Sequence, residues 1–179
     1  SCLKSDDLIT KDAKTGGLID ATYMLQYKPG STQSVDVDFM VYLGPAVQQI
    51  DVYKVFYHAV DGVESDQVFL RSVSVDGQNS SDTLILTESF TWSDLSQNIP
   101  QLSDGYNVPS DPTTADVGDF FILKYVSVMT DGRQVIDLPE TYIVVANFFA
   151  GYYSAHLMYF HPTLGGSYPD DPYYEDTFQ

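Results

Sequence analysis

From Ser34 to Leu43 the chain alternates: Val35, Val37, Phe39, Val41 and Leu43 recur every second position, with Asp36, Asp38, Met40 and Tyr42 between them. A period of two places the first set on one face of an extended strand, so one face belongs to a core and the other to water. Similar runs recur at Ile19–Tyr27, Gln49–His58, Gln67–Val75, Thr83–Thr91, Asp119–Met129, Gln134–Leu138 and Tyr142–Phe149. Turn formers separate them: Lys28-Pro29-Gly30, Gly44-Pro45, Asp61-Gly62, Asp76-Gly77 and Asp131-Gly132. The last is a strong hairpin signal, because tight two-residue turns favour Asp-Gly. Roughly seven or eight such strands with no sustained helical periodicity predict an all-β fold, an immunoglobulin-like antiparallel β-sandwich over residues 18–149. Only Thr91–Ser96 looks helical, for a single turn. A polar loop rich in Pro, Ser and Asp follows from Gln97 to Val117, and loops of that length are functional or mobile.

The two ends carry different patterns. Residues 1–17 are charged and rich in Thr, Ser and Gly, with few apolar positions, which is the composition of a flexible tether. At roughly 3.3 Å per extended residue, the stretch from 3 to 17 spans about 50 Å. Its lone cysteine, Cys2, has no second cysteine in the sequence to pair with. In an exported chain such a thiol is free, intermolecular or modified. Acyl chains on Cys2, each buried CH₂ contributing about 0.8 kcal/mol, would hold the protein to a membrane, and lipidation is the reading we adopt. Residues 150–179 form an aromatic, acidic C-terminal extension and tail that cannot build a core alone. Tyr152, Tyr153, Tyr159, Tyr168, Tyr173 and Tyr174 are too many for one core stripe and are expected to present a contact patch.

Charge narrows the range of partners. Eight Lys and Arg against 25 Asp and Glu give a net charge of −17, which repels phosphates and leaves no role for nucleic acid. No apolar stretch is long enough for a membrane-spanning helix. No Gly-x-Ser-x-Gly elbow, His-Glu-x-x-His pair or Gly-rich phosphate loop occurs, so neither an enzyme nor a cofactor is expected. Oxygen-ligand metal sites are weakly suggested by Asp36 with Asp38 on the wet face of one strand, or by the loop carboxylates Asp104, Asp111, Asp116 and Asp119. The single tryptophan, Trp92, reads either as a plug at the end of the sandwich or as a contact residue for a ligand or partner.

Three stretches carry a family resemblance. They are Cys2-Leu3-Lys4-Ser5-Asp6-Asp7-Leu8; Gly118-Asp119-Phe120-Phe121 through Tyr125-Val126-Ser127 with Asp131-Gly132-Arg133; and Val145-Ala146-Asn147-Phe148-Phe149-Ala150-Gly151-Tyr152-Tyr153 followed by His161-Pro162. Together the chain resembles small surface lipoproteins of Bacteroidetes encoded beside Sus-type nutrient importers, in which a TonB-dependent barrel is capped by a substrate-binding lid. The resemblance implies a lipid at Cys2, a place on the extracellular face of the outer membrane, and a SusC/SusD-like transporter complex as partner. It further implies a non-catalytic accessory role in capturing or presenting oligopeptide or oligosaccharide. An independent glycan-binding lipoprotein and a structural or adhesive surface protein are the competing readings. Asp82-Thr83-Leu84 is similar to the short O-glycosylation signal of these bacteria, which would place a glycan on Thr83. Only 17 residues follow His161-Pro162, so the role of the relatives' second β-domain is not carried over.

Overall fold

A computed structural model describes residues 17–42, 47–75, 83–146, 160–161 and 166–167. The chain divides into two compact units, Ser1–Phe148 and Phe149–Gln179. In the second, β10 (Phe160–His161) pairs antiparallel with β11 (Gly166–Ser167).

The first unit is an all-β sandwich, as the alternation predicts. Its strands are β1 (Ile19–Ala21), β2 (Met24–Tyr27), β3 (Ser34–Val41), β4 (Val47–His58), β5 (Val63–Glu64), β6 (Val68–Ser74), β7 (Leu84–Thr91), β8 (Phe120–Met129) and β9 (Gln134–Val145). A three-stranded sheet runs β1-β3-β7, and a six-stranded sheet runs β2-β9-β8-β4-β5, with β6 also on β4. Inward positions of both sheets close the core: Val35, Val37, Phe39 and Val41 of β3 meet Ile50, Val52 and Phe56 of β4, Phe121, Leu123 and Tyr125 of β8, and Ile143 of β9. Burying such a set is the main force behind the fold. The Asp131-Gly132 hairpin joins β8 to β9 as expected, with Gly132 at φ 81° and its amide donating to the Met129 carbonyl at 2.9 Å. The turns at Gly44-Pro45 and Asp76-Gly77 lie outside the described residues.

The structure departs from the expectations of the sequence at three places. First, the run Ile19–Tyr27 is two strands. β1 pairs antiparallel with β3, whereas β2 pairs in parallel with β9. The chain changes sheets between Thr22, whose amide still bonds the Asp38 carbonyl at 3.1 Å, and Tyr23, whose carbonyl accepts from the Tyr142 amide at 2.8 Å. The crossing point is held from inside. The buried Tyr125 hydroxyl bonds the Thr141 hydroxyl, and Thr141 donates to the Thr22 carbonyl at 2.6 Å. Burial pushes the Tyr125 phenol well above its usual pKa, so it stays a protonated donor. Second, Gln134–Leu138 and Tyr142–Phe149 belong to one strand, β9, as far as Val145. Its register against β8 jumps from Lys124↔Glu140 to Val126↔Ile136. The bulge accommodates Pro139, which has no N–H for a ladder bond.

Third, Gly17, the last residue of the expected tether, is packed against the β8–β9 hairpin. Gly17 is buried at φ 85°, and a Cβ there would stand 2.8 Å from Val135 Cγ2 and 3.1 Å from Met129 Sδ. Gly17→Ala is expected to cost about 1–2 kcal/mol through backbone strain and overpacking, read as a lower thermal midpoint.

Candidate functional site

Among the described residues outside the sheets, the long loop is closely anchored, and its anchors converge on one end of β4. Thr91 starts the short helix α1 (Trp92–Ser96) with a capping box: its hydroxyl accepts from the Asp94 amide, and the Asp94 carboxylate accepts from the Thr91 amide at 2.8 Å. After α1 the chain runs through a 3₁₀ turn at Pro112–Thr114, capped by Asp111, before entering β8. Four contacts fix this path. Trp92 Nε1 donates to the Pro109 carbonyl at 2.8 Å. Lys54 Nζ, from the core face of β4, donates to the carbonyls of Asp94 at 2.5 Å and Gln97 at 2.6 Å. Tyr106 stacks on His58 with ring centroids 3.8 Å apart. His58 itself bridges two separate points of the loop.

His58 closes β4 and is 4% exposed. Its Nδ1 lies 2.9 Å from Asp104 Oδ2 and 3.6 Å from Asp61 Oδ2, and its Nε2 lies 3.3 Å from Asp116 Oδ2. Behind the ring, fully buried Asp119 accepts from the Ala59 amide at 2.9 Å and from the Tyr106 hydroxyl at 3.3 Å. The electrostatics are mutually consistent. The Asp104 hydrogen bond, reinforced by Asp116 and the neighbouring negative charges, raises the His58 pKa, while His58 lowers that of Asp104. Burial raises the Asp119 pKa, and burial together with the Asp119 and Asp116 charges lifts Tyr106 to about 12.

Donor atoms of His58, Asp61 and Asp104, and of His58, Asp116 and Asp119, lie within 4.8 Å of one another. A carboxylate beside each ring nitrogen favours the doubly protonated imidazole, in which both nitrogens donate. The arrangement acts as a clamp: His58, bonded on both ring nitrogens, draws two points of a loop onto a strand terminus. Sequence reading noted Asp104, Asp116 and Asp119 as loop acids and His58 as a strand end. Their convergence needs a return of the chain from residue 58 to residue 104, which no local pattern encodes.

The other anticipated residues are placed as follows. Trp92 is a plug and not a contact surface: it is 4% exposed, packed on Tyr27 at 5.1 Å and Phe121 at 5.3 Å. Its indole N–H needs a buried acceptor, and the Pro109 carbonyl supplies one. Asp36 and Asp38 share the outer face of β3 as expected, but each is bonded to a hydroxyl of β7, Asp36 by Ser89 and Asp38 by Thr87 at 2.6 Å. Neither joins a group of three metal-type donors among the described residues. Asp111 caps its own turn, apart from the His58 cluster. Thr83 is exposed immediately before β7. Cys2 and Tyr152, Tyr153, Tyr159, Tyr168, Tyr173 and Tyr174 lie outside the described residues.

One surface escaped sequence reading. On the outer face of the six-stranded sheet, rings touch in a row across β9, β8 and β4 from Tyr23, which immediately precedes β2: Tyr23–Tyr142 at 5.4 Å, Tyr142–Phe120 at 5.8 Å and Phe120–Tyr57 at 4.5 Å. Tyr53 and Phe69 pair at 5.5 Å on the same sheet, with Phe69 52% exposed. The available signal lay in β4, where Tyr53, Val55 and Tyr57 occupy the parity opposite to Val52 and Phe56; both faces of that strand are apolar. No protein-family profile matches the chain, and no curated protein matches it.

Proposed function

We propose that this protein is a non-catalytic, surface-exposed lipoprotein, an accessory subunit of a SusCD-type outer-membrane importer that helps capture or present oligopeptide or oligosaccharide substrates. The observation that carries the reading is the outward aromatic row Tyr23–Tyr142–Phe120–Tyr57. A rigid sheet face rich in aromatic rings is the composition of a protein–protein contact. The lipid on Cys2 would confine the sandwich near the transporter, and the tether would let it reach. Confinement raises effective concentration, so modest contacts suffice for a lasting complex.

Two results test this. Cys2→Ala is expected to move the protein from the outer-membrane fraction of its host to the soluble fraction; retention with the membrane refutes the anchor. Purification in mild detergent is expected to bring down a barrel and lid in stoichiometric amounts. Tyr57→Ala with Tyr142→Ala, on the outer face, should weaken that association by about tenfold or more. A Cys2-anchored protein that purifies alone while binding glycans supports the independent glycan-binding reading instead.

A further inference from the structure

The outer face of the three-stranded sheet has a different chemistry from the aromatic face of the other sheet. Cross-strand register sets two successive outward rows: Asp20, Met40 and Ile85 in one, Thr22, Asp38 and Thr87 in the next. Between them lies a groove of about 240 Å³ lined by Asp20, Ala21, Thr22, Asp38, Phe39, Met40 and Ile85. Phe39 points into the core, so it and Ala21 form the floor, while Met40 (36% exposed) and Ile85 (62% exposed) form an apolar wall. The volume is below the roughly 300–1,000 Å³ of small-molecule pockets and suits a single long side chain.

The charges at this groove are all of one sign. Asp20 and Asp38 are exposed and make no ion pair among the described residues, and Asp36 follows on the same face. The basic residues among the described positions are committed elsewhere. Lys54 is in the core, and Lys124 pairs with Glu140 on the other sheet. Arg133 pairs with Asp131 in the hairpin, and Arg71 lies over the inward-facing ring of Phe90 and bonds Glu88. Lys28 precedes β3 at the strand's opposite end. An apolar trough with two carboxylates at its rim that no described cation neutralises is complementary to a group that is apolar along its length and cationic at its tip. Lysine has that shape, its methylene stem burying on apolar surface while the ammonium stays at the polar edge. The proposed ligand is therefore a polypeptide, whose ammonium groups offset the negative charge, whereas a neutral sugar would hydrogen-bond the carboxylates and leave their charge in place.

We propose that this groove is a docking site for a lysine side chain of a basic, extended polypeptide segment. The site lies on the sheet opposite the aromatic row, so it goes beyond the transporter reading, and either can fail without the other. The test uses the full chain, labelled at methionine and isoleucine methyl groups, titrated with an acetylated and amidated hexapeptide of alternating lysine and alanine. The Met40 and Ile85 methyl signals are expected to shift together and saturably. Binding should weaken at least tenfold in Asp20→Asn with Asp38→Asn, a change of exposed groups that should leave the thermal midpoint in place. It should also weaken several-fold from low to high salt, because exposed charges are screened. The proposal is overturned if those methyls do not respond, if a norleucine peptide binds equally well, or if the double variant binds unchanged. It is also overturned if calcium chloride alone saturates the same signals and blocks the peptide, or if the chain dimerises through this face.

Discussion

His58→Ala is expected to lower stability by about 3 kcal/mol, a larger effect than that of Gly17→Ala, and to release residues 97–119 from the end of β4. The ring's packing against Tyr106 at 3.8 Å is lost, and Asp119 stays fully buried without its cationic neighbour. For a domain of this size that is on the order of 10 °C in thermal midpoint. Hydrogen exchange should show the loss locally, with amides such as Leu102, Gly105 and Asp119, which bond within or near the loop, exchanging faster than those of β8. Unchanged exchange across 97–119 would mean that Trp92 and Lys54 hold the loop without the clamp.

The same cluster sets a pH profile. His58 has a folded pKa raised by Asp104, so its contribution is complete below the ordinary histidine value of about 6.5 and is lost as pH rises through the folded value. Asp119, raised by burial, acts in the same direction, favouring the fold less once it must ionise. Asp104, lowered chiefly by His58, contributes above about 3.9 and loses its contribution as pH falls through its folded value. Stability is therefore expected to be greatest in mildly acid solution, between about pH 4 and 6.5, and to decline through neutrality. In His58→Ala the decline above pH 6.5 should flatten. Thermal midpoints measured across pH 4–9 for both proteins check this.

Lys54→Ala is expected to be the most damaging single change, about 4 kcal/mol. The lysine is 2% exposed, and its ammonium supplies donors to two carbonyls at the end of α1. Truncation leaves both acceptors without that donor and opens a cavity in the core face of β4. Lys54→Met, which keeps the length but donates nothing, should cost about 2 kcal/mol. A lysine here is also a charge held at a cost, since desolvation lowers its pKa from 10.5 to about 8 despite the nearby Asp94 carboxylate. Above about pH 8 the unfolded chain keeps a proton that the folded chain has released, so stability from this group rises with pH up to about 10.5. Denaturant titrations should therefore show wild type gaining on Lys54→Met as pH passes 8. A constant gap would mean that Lys54 remains charged in place.

How much of this could be read beforehand differs from element to element. The alternation in β3 was legible because each outward position faces water and each inward one the core, so burial is written at every second residue. The bounds of β6 and β7 fall within a residue of their apolar runs for the same reason. The run Ile19–Tyr27 hid a change of sheet, because both halves are extended and local pattern does not report which neighbour a strand bonds. In β4 the alternation misled differently. Lys54 and His58 occupy core parity, and alternation alone does not tell that these two polar residues tie the loop down.

The order of hydrophobic and polar residues thus determined that this chain forms strands, where most of them turn, and that a sandwich encloses their shared apolar face. Those outcomes follow from interactions along the chain and from burial, which each residue type expresses wherever it sits. Tertiary structure decided what is done at the surface and at the sandwich end. A histidine gained a carboxylate on each ring nitrogen because residues 104 and 116 return to it, four aromatic rings became one row because Tyr23, β9, β8 and β4 lie side by side, and Asp20 and Asp38 became the rim of one groove because β1 and β3 pair in one register. Charge state, ring contact and groove shape depend on distances between residues far apart in sequence, and only the folded chain sets those distances.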